Sequence, residues 1–424
     1  MARNQERLNI WGNGIGEGVW AFGAGLGSAI TVLPLLIKGR LGGTNLEVGL
    51  IAAIWAACQM FPQIFSSMLI QRGVGRKWFL LIYHWIVFTI PWLGMAAAIF
   101  WLSGTNPLLT RILILVLFGL FTCGMGFIMP VWQDWIAALF HTQTRGRAFA
   151  LSNIMIALFG ALAAWLAAHT TAAIPFPANY AILFVGSGFF VALCMIAWIP
   201  TREVEPIEHF ELPPRQVVRR FALSLKERNF QHLLASRMML IAGCGPLSFL
   251  AVHYKTPAGG GLSEKTIIMF GVAATAGSIV GGYIMGHLGD RIGHRSGAII
   301  GAFAQFIGLY VALMFPGAAS GIAAFAMLGA GGASNWISHA NLLFETCPHD
   351  CRTAHIAAGN MMLAPFSAIF PILTGPAIDR WGFLPVTIAC LVPTLLGMFW
   401  IIAVVREPRT IKRAVHADAA AAGN

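Results

Sequence analysis

The segment GGYIMGHLGDRIGHRSG, residues 281–297, decides how the chain folds, because it places a dense group of charges between two long apolar runs. From His287 to Arg295 it holds one aspartate, two arginines and two histidines, interleaved with glycine. Glycine permits a tight turn, and polar groups mark a place where the chain leaves an apolar environment. The segment therefore predicts a sharp polar turn between two apolar helices.

The composition places those helices in lipid. Of 424 residues, 58% are hydrophobic and only 10% are charged, whereas a soluble domain has about 25% charged residues. A chain this apolar cannot cover itself with polar surface, so we expect its solvent to be mostly lipid. The seven cysteines show no disulfide pattern, and the first apolar run is too long for a cleavable signal peptide.

Hydropathy predicts twelve membrane spans, since each span needs about 20 mostly apolar residues. The spans are 12–37, 46–70, 78–101, 110–140, 147–172, 179–200, 233–254, 265–288, 297–316, 319–345, 353–377 and 383–405. The long loop at 201–232 separates six spans from six. We therefore predict an all-α membrane protein with two six-helix bundles, 1–200 and 233–405, the linker 201–232 between them, and a tail at 406–424.

The basic residues predict the orientation. With a cytoplasmic N-terminus, most of the 27 lysines and arginines fall on the cytoplasmic side, as the positive-inside rule requires. This bias accounts for the net charge of +11 without nucleic acid, and it favours a bacterial-type inner membrane with both termini inside.

Within the linker, residues 215–228 form either an amphipathic helix on the inner membrane surface or a solvated tether. The basic residues on the outer side are Lys38, Arg40, Arg111, Lys255, Lys265 and Arg380.

The two halves of the chain repeat. Trp132 and Phe140, near the end of the fourth span, align without a gap on Trp336 and Phe344, near the end of the tenth. A duplicated half with matching loops is typical of transporters, whose substrate site lies between the halves near mid-membrane.

Within the opening segment, five residues spell G-x-x-x-D-R-x-G-x-R: Gly286, Asp290, Arg291, Gly293 and Arg295. The pattern resembles the signature loop of the major facilitator superfamily, which follows the second helix of each six-helix half. The resemblance implies a secondary transporter that works by alternating access, its two bundles rocking about a central site. The first-half copy consists of Gln71, Arg72, Gly75 and Arg76, and it departs from the pattern because Gln71 replaces the expected aspartate.

Each residue type in this loop has a physical role to play. We expect Gly282 and Gly286 to let two helices approach closely, and Gly293 to permit the turn. Asp290 and the arginines are expected to form ion pairs that break and reform as the halves rock, so the loop would act as a gate. The alternative is a plain tight turn that is held inside by its positive charge.

Two acidic residues lie well inside apolar runs, Glu17 in the first span and Asp134 in the fourth. An ionisable group inside the membrane is costly and indicates function. Because burial of a carboxylate favours its protonated form, we expect Glu17 or Asp134 to couple transport to protons. The alternative is a structural carboxylate that is held by backbone or arginine near the inner surface.

Other residues in the spans are candidates for the substrate cavity, and each could instead bond helices together. No lysine or arginine lies deep in a predicted span, and a strongly anionic substrate usually needs an arginine. We therefore expect a neutral or cationic small solute, with tryptophans available for cation–π contact. The cavity candidates are Gln59, Gln63, Trp132, Gln133, Asn335, Trp336 and His339.

A cysteine–histidine group leaves other functions open. Cys347, Cys351 and His355 are four residues apart and offer metal ligands, although the spacing matches no known zinc motif. A metal-ion (iron-type) transporter of the same fold is one alternative, and a non-transporting membrane sensor is another. We see neither a nucleotide-binding loop nor a nucleophile–base arrangement. We therefore expect no enzyme and no cofactor. We also expect a monomer whose partners are its solute and membrane lipids.

Overall fold

The computed structural model describes residues 2–63, 76–141, 144–204, 225–346 and 352–407, together with Arg219, Ala222 and Leu223. Within these ranges every regular element is a helix. The linker segment 215–228 and the tail 406–424 lie mostly outside the described residues, so the surface-helix prediction and the loop residues Gln71, Arg72 and Gly75 keep the status of predictions.

We number the main helices in chain order and treat short continuations as part of the preceding helix. They are α1 (Ala2–Leu26, continued by Val32–Pro34 and Leu35–Arg40), α2 (Asn45–Met60), α3 (Arg76–Tyr83, His84–Phe88 and Thr89–Leu102), α4 (Pro107–Ala138), α5 (Arg145–Ala173), α6 (Ala178–Leu193 and Cys194–Trp198), α7 (Arg228–Gly243, Gly245–Phe249 and Leu250–Lys255), α8 (Glu264–Ile292), α9 (His294–Met314), α10 (Ala318–Thr346), α11 (Arg352–Trp381) and α12 (Phe383–Ala403).

Nine helices of the described part are long and apolar enough to cross a membrane: α3 to α9, α11 and α12. Helices also occupy the three remaining predicted positions, as α1, α2 and α10. The all-helical membrane fold is therefore confirmed, while the count of twelve crossings stays a prediction. The largest difference in bounds is at α1, which begins at Ala2, ten residues before the predicted span, because the polar start of the chain is also helical.

Side-chain caps fix several helix starts. Thr44 accepts a hydrogen bond from the backbone N–H of Glu47, and the Glu47 carboxylate accepts one from the Thr44 N–H at 2.6 Å, which forms a capping box at α2. Ser263 caps α8 in the same way through the N–H of Thr266. The turn between α8 and α9 passes through Gly293 at φ +96°, a conformation that favours glycine. The predicted tight turn is thus confirmed.

Close helix packing depends on other glycines than those we expected. A Cβ at Gly282 would have its nearest neighbour at 3.8 Å, and one at Gly286 would meet no described atom within 4 Å. Among the described residues no backbone approaches α8 at Gly282 or Gly286, so the described packing gives these two glycines no role in close approach. The contact between α8 and α10 is made instead by Gly277, Gly281 and Gly329, where a Cβ would come within 3.0 Å of a carbonyl oxygen on the facing helix.

This packing predicts a stability difference between neighbouring glycines. We expect Gly281→Ala to destabilise the fold by about 1–3 kcal/mol, because the added methyl group would overlap the carbonyl of Ala330. Gly282→Ala, one position away, is the matched control and should cost no more than the usual small propensity change. Thermal unfolding of the two purified variants in one detergent would compare them, and equal midpoints would contradict this packing.

The most extensive contacts between the first six helices and the last six are those of α2 with α11 and of α5 with α8. The backbones of α2 and α11 nearly touch, since a Cβ at Gly49 would come within 3.0 Å of the Pro371 carbonyl oxygen, and one at Gly375 within 3.0 Å of the Asn45 carbonyl oxygen. At Gly271 of α8, an added Cβ would lie 3.0 Å from the methyl group of Ala164 on α5. Small residues therefore set how closely the two groups of helices approach.

Candidate functional site

One face of α1 carries polar side chains at four-residue intervals: Asn9, Asn13 and Glu17. Asn9 is fully buried and donates to the backbone oxygens of Leu139, at 2.8 Å, and Arg202, at 2.7 Å. The side chain of Asn13 donates to the Ser152 hydroxyl at 2.6 Å. Residues four apart share a helix face, so this face of α1 is tied to the helices around it. The sequence analysis missed the two asparagines, although their spacing from Glu17 was a usable signal.

Glu17 lies inside an aromatic cluster formed by helices of the first half. Its carboxylate accepts a hydrogen bond from the Trp132 indole on α4. The Trp132 ring centroid lies 4.8 Å from that of Trp198 on α6 and 4.9 Å from that of His84 on α3. His84 itself is buried and donates from Nδ1 to the Leu80 carbonyl oxygen at 2.8 Å. The carboxyl group is therefore oriented by one indole N–H, and that indole packs against rings from two further helices.

Asp134 occupies a different environment. It lies two positions after Trp132 on α4 and is exposed, as is the neighbouring Gln133. Two positions correspond to about 200° around a helix, so Trp132 and Asp134 point to different sides of α4. Asp134 makes a polar or electrostatic interaction of its own. Of the two acids, Glu17 is therefore the one that is half-buried and bonded to Trp132, while Asp134 is exposed.

The predicted glutamine pair on α2 is bonded within its own helix. The Gln63 side chain donates to the Gln59 carbonyl oxygen at 2.8 Å, and both residues are half-buried. On α10, Trp336 is 67% exposed, and its neighbour Ser334 donates to the Ala330 carbonyl oxygen at 2.7 Å. These residues lie on the predicted helices, and whether they line a substrate cavity stays a prediction.

A polar group in the second half of the chain contains a charge that we did not expect there. Arg237 on α7 is only 8% exposed, and it lies nine residues after the first residue of the helix, or about 14 Å along its axis. The sequence analysis placed Arg237 at the inner membrane surface, and the structure buries its side chain between helices. The burial follows from the packing of α7 against neighbouring helices, which the sequence does not give.

Five polar residues lie around this charge, and we call them the Arg237 cluster: Arg237, Gln305, Asn335, His339 and Asn360. Hydrogen bonds join Arg237 to Asn335 and Asn335 to Gln305, while His339 and Asn360 form a separate hydrogen-bonded pair that feels the charge of Arg237. Nη1 and Nη2 of Arg237 donate to the Asn335 Oδ1 and backbone oxygen, both at 2.9 Å. The Asn335 amide donates to Gln305 Oε1 at 2.9 Å. His339 Nε2 donates to Asn360 Oδ1 at 3.1 Å. The cluster unites α7, α9, α10 and α11 and includes two of the predicted cavity residues.

The signature loop is bonded within the second half. Arg295 donates from Nη1 to the Val405 carbonyl oxygen at 2.7 Å, and its backbone N–H points at the Glu407 carboxylate, 3.3 Å away. His294 lies 3.8 Å from the Glu345 carboxylate. These contacts join the start of α9 to the ends of α10 and α12. Arg291 is exposed, the side chain of Asp290 lies outside the described residues, and the gating role stays a prediction.

The proposed metal ligands fall where the structure is not described. Cys347 and Cys351 lie outside the described ranges, and so does the side chain of His355. Arg76 of the first-half loop is the first residue of α3, and its side chain is likewise not described. Among the residues that the structure describes, no group of three metal-ligating side chains occurs.

Carboxylates from the second half of the chain meet basic residues from the first half at one end of the molecule. We call this the far end, since it lies opposite the starts of α1 and α7. Glu264, 7% exposed, accepts from Arg40 Nε at 3.0 Å and Nη2 at 2.9 Å, from the Tyr180 hydroxyl at 3.2 Å, and from the Lys255 ammonium. Burial alone would lower the pKa of Arg40, but the bonds and charge of Glu264 outweigh it and raise that pKa.

A second group of far-end contacts surrounds Asp379 at the end of α11. It accepts from the Asn45 amide at 2.7 Å and lies 3.5 Å from the Lys38 ammonium. Glu264 and Asp379 together therefore tie the far ends of α1, α2 and α6 to those of α8 and α11. At the opposite end, the contacts we observe stay within one half, as where Asn229 donates to the Arg406 carbonyl oxygen at 3.0 Å.

Comparison with known proteins adds independent evidence on the fold. A sequence model of the Major Facilitator Superfamily matches residues 18–259 and 248–422. A search of curated proteins finds no match. Solved structures similar to this chain include the nucleoside transporter NupG (12% identity, 94% of this chain and 98% of that one, TM-score 0.67) and a D-xylose-proton symporter (16%, 95% and 98%, TM-score 0.67).

A third similar structure is a bacterial homolog of the human lysosomal transporter Spinster, in an inward-facing and unoccupied conformation. It is 14% identical, the match covers 96% of this chain and 98% of that one, and the TM-score is 0.67. Identities this low show a shared fold and leave the substrate of this chain open.

Proposed function

The chain belongs to the major facilitator superfamily, and from that premise we propose that it is a proton-coupled secondary transporter of a small organic solute. Residues 1–200 and 233–405 act as two bundles that rock about a central site, so that the site faces each side of the membrane in turn. The termini lie in the cytoplasm of a bacterial-type cell, and the far end faces outward.

The observation that carries proton coupling is the position of Glu17. The Glu17 carboxylate is half-buried, and its partner Trp132 packs against Trp198 and His84; a charge in such surroundings is costly unless it is paired. Its one observed hydrogen bond comes from a neutral indole. The balance between the charged and protonated forms at Glu17 therefore depends on whether water or solute enters the cluster, and this dependence is what coupling requires.

The far-end contacts support alternating access. Glu264 bonds Arg40 across the two halves, and α2 and α11 nearly touch at Gly49 and Gly375. An assembly that closes by ion pairs and glycine contacts can open again without exposing an apolar core. Within this proposal, the far-end contacts are those of a state closed on the outer side.

Flux into proteoliposomes tests this proposal. With a pH gradient imposed, the wild type is expected to accumulate its solute, and Glu17→Gln to lose gradient-driven accumulation by at least about tenfold, a loss of about 1.4 kcal/mol in driving force. Exchange of internal for external solute should survive in Glu17→Gln, because binding and rocking remain. Glu203→Gln, a change of the same chemistry at an exposed loop position, is the control.

The remaining outcomes separate the parts of the proposal. Asp134→Asn is measured beside Glu17→Gln. If both variants accumulate solute as the wild type does, proton coupling by these carboxylates is wrong while transport stands. If no tested solute crosses with the wild type, the result favours the non-transporting sensor.

A further inference from the structure

The Arg237 cluster contains a buried positive charge that no acidic residue among the described ranges neutralises. The Arg237 residue is only 8% exposed, and both of its observed hydrogen-bond acceptors belong to the neutral Asn335. Removing a guanidinium from water costs several kcal/mol unless a counter-charge accompanies it. The chain therefore maintains a costly cation within its second half, whereas Lys38, Arg40, Arg111 and Lys255 each lie beside a carboxylate.

The hydrogen-bonding capacity of the cluster is also incompletely used. A guanidinium offers five N–H donors in a planar fork that matches a carboxylate, and the described structure provides acceptors for two of them. His339 Nδ1 is buried and has no hydrogen-bond partner among the described residues. Asn335, His339 and Asn360 each keep part of their surface accessible, so a ligand atom can reach these groups.

We propose that Arg237 binds a carboxylate of the transported solute, with His339 Nδ1 available to a hydroxyl group beside it. The inference deepens the proposed transport function and rests on it. It replaces the expectation of a neutral or cationic cargo, whose only ground was the absence of a deep arginine. The solute class is a small organic acid, bound in its anionic form within the second half of the chain.

Binding is tested with the purified full-length protein and simple probes. The probes are propionate, lactate and malonate, with propionamide, lactamide and malonamide as their uncharged counterparts. At least one carboxylate is expected to raise the unfolding midpoint by a few degrees (about 2–4 °C for a chain of this size), because a ligand stabilises the state that binds it. Its amide should leave the midpoint unchanged. Arg237→Gln should lose the shift, and Arg237→Lys should weaken the apparent affinity by about tenfold, since lysine lacks the planar fork.

A second variant keeps the test decisive if Arg237→Gln fails to fold. Asn335→Asp places a carboxylate at the Oδ1 position that already lies 2.9 Å from Nη1, and the Gln305 amide can turn to donate to it. If the charge of Arg237 is uncompensated, this variant should unfold at a higher temperature than the wild type and should no longer respond to the carboxylate probe.

The inference is overturned if the wild type shows no shift with any carboxylate, if the shift persists in Arg237→Gln, or if Asn335→Asp is less stable than the wild type and keeps the shift. A shift with inorganic phosphate alone would also overturn the carboxylate assignment. Uptake of a neutral solute by a protein that ignores all carboxylates would refute this inference while leaving the transporter proposal intact.

Discussion

Gly49→Ala is expected to hold the protein open at its far end. The added methyl group would come within 3.0 Å of the Pro371 carbonyl oxygen on α11, and backbone atoms cannot rotate away as a side chain can. Since α2 and α11 belong to different halves, the overlap penalises the closed arrangement of the halves and not the folding of either one. We expect the closed state to lose about 1–3 kcal/mol, which corresponds to a shift of roughly tenfold to a hundredfold in the equilibrium between states.

Hydrogen exchange measures this shift directly. Amides in the far-end turns of α2 and α11 should exchange faster in Gly49→Ala, and Gly375→Ala should repeat the effect from the other helix, because its methyl group would meet the Asn45 carbonyl oxygen. Gly104→Ala, at a far-end turn where an added Cβ meets no described atom within 4 Å, is the matched control. Unchanged exchange in both α2 and α11 variants would show that this contact does not limit opening.

The helices were predictable because each is an apolar run of the right length. The predicted bounds of α9 and α12 differ from the observed ones by only a few residues, since polar or glycine residues end each run abruptly. The bounds failed where a helix continues beyond its apolar stretch, as at α1 and α7. Burial between helices was not predictable in this way, because Arg237 was assigned to the inner membrane surface while its side chain is buried against Asn335.

Contacts between distant parts of the chain could not be predicted in the same way. Arg40 and Glu264 are separated by 224 positions, and no local spacing indicates that they meet. Likewise, a glycine pattern tells which residues share a helix face but not which face meets a neighbour. For that reason Gly281 contacts α10 closely while Gly286, in the signature itself, contacts nothing described. The tight turn at Gly293 was predictable because it depends on the backbone of one residue.

Glu264→Gln is expected to weaken closure of the far end through charge. Glu264 neutralises Arg40 from the first half and Lys255 from the second. Without its charge, those two cations face one another across the interface. Breaking a fully buried pair costs about 3–5 kcal/mol, but the Arg40 and Lys255 side chains are 39% and 36% exposed. Solvent therefore screens much of the effect, and we expect a shift of about 1–2 kcal/mol toward the open state, or roughly tenfold.

The chain provides a closely matched control for this prediction. Glu47 pairs with Arg111 at 2.7 Å, also at the far end, but both residues belong to the first half. Glu47→Gln therefore removes the same charge from the same end of the molecule without separating the halves. We expect it to lower the unfolding temperature slightly and to leave far-end hydrogen exchange in α8 and α11 unchanged, whereas Glu264→Gln should accelerate it.

Added salt should reduce the difference between Glu264→Gln and wild type, because screening weakens the pairs that the wild type retains. If the two variants behave alike, the far-end charges stabilise the fold in general, and the mechanism of closure must lie in the glycine contacts between α2 and α11.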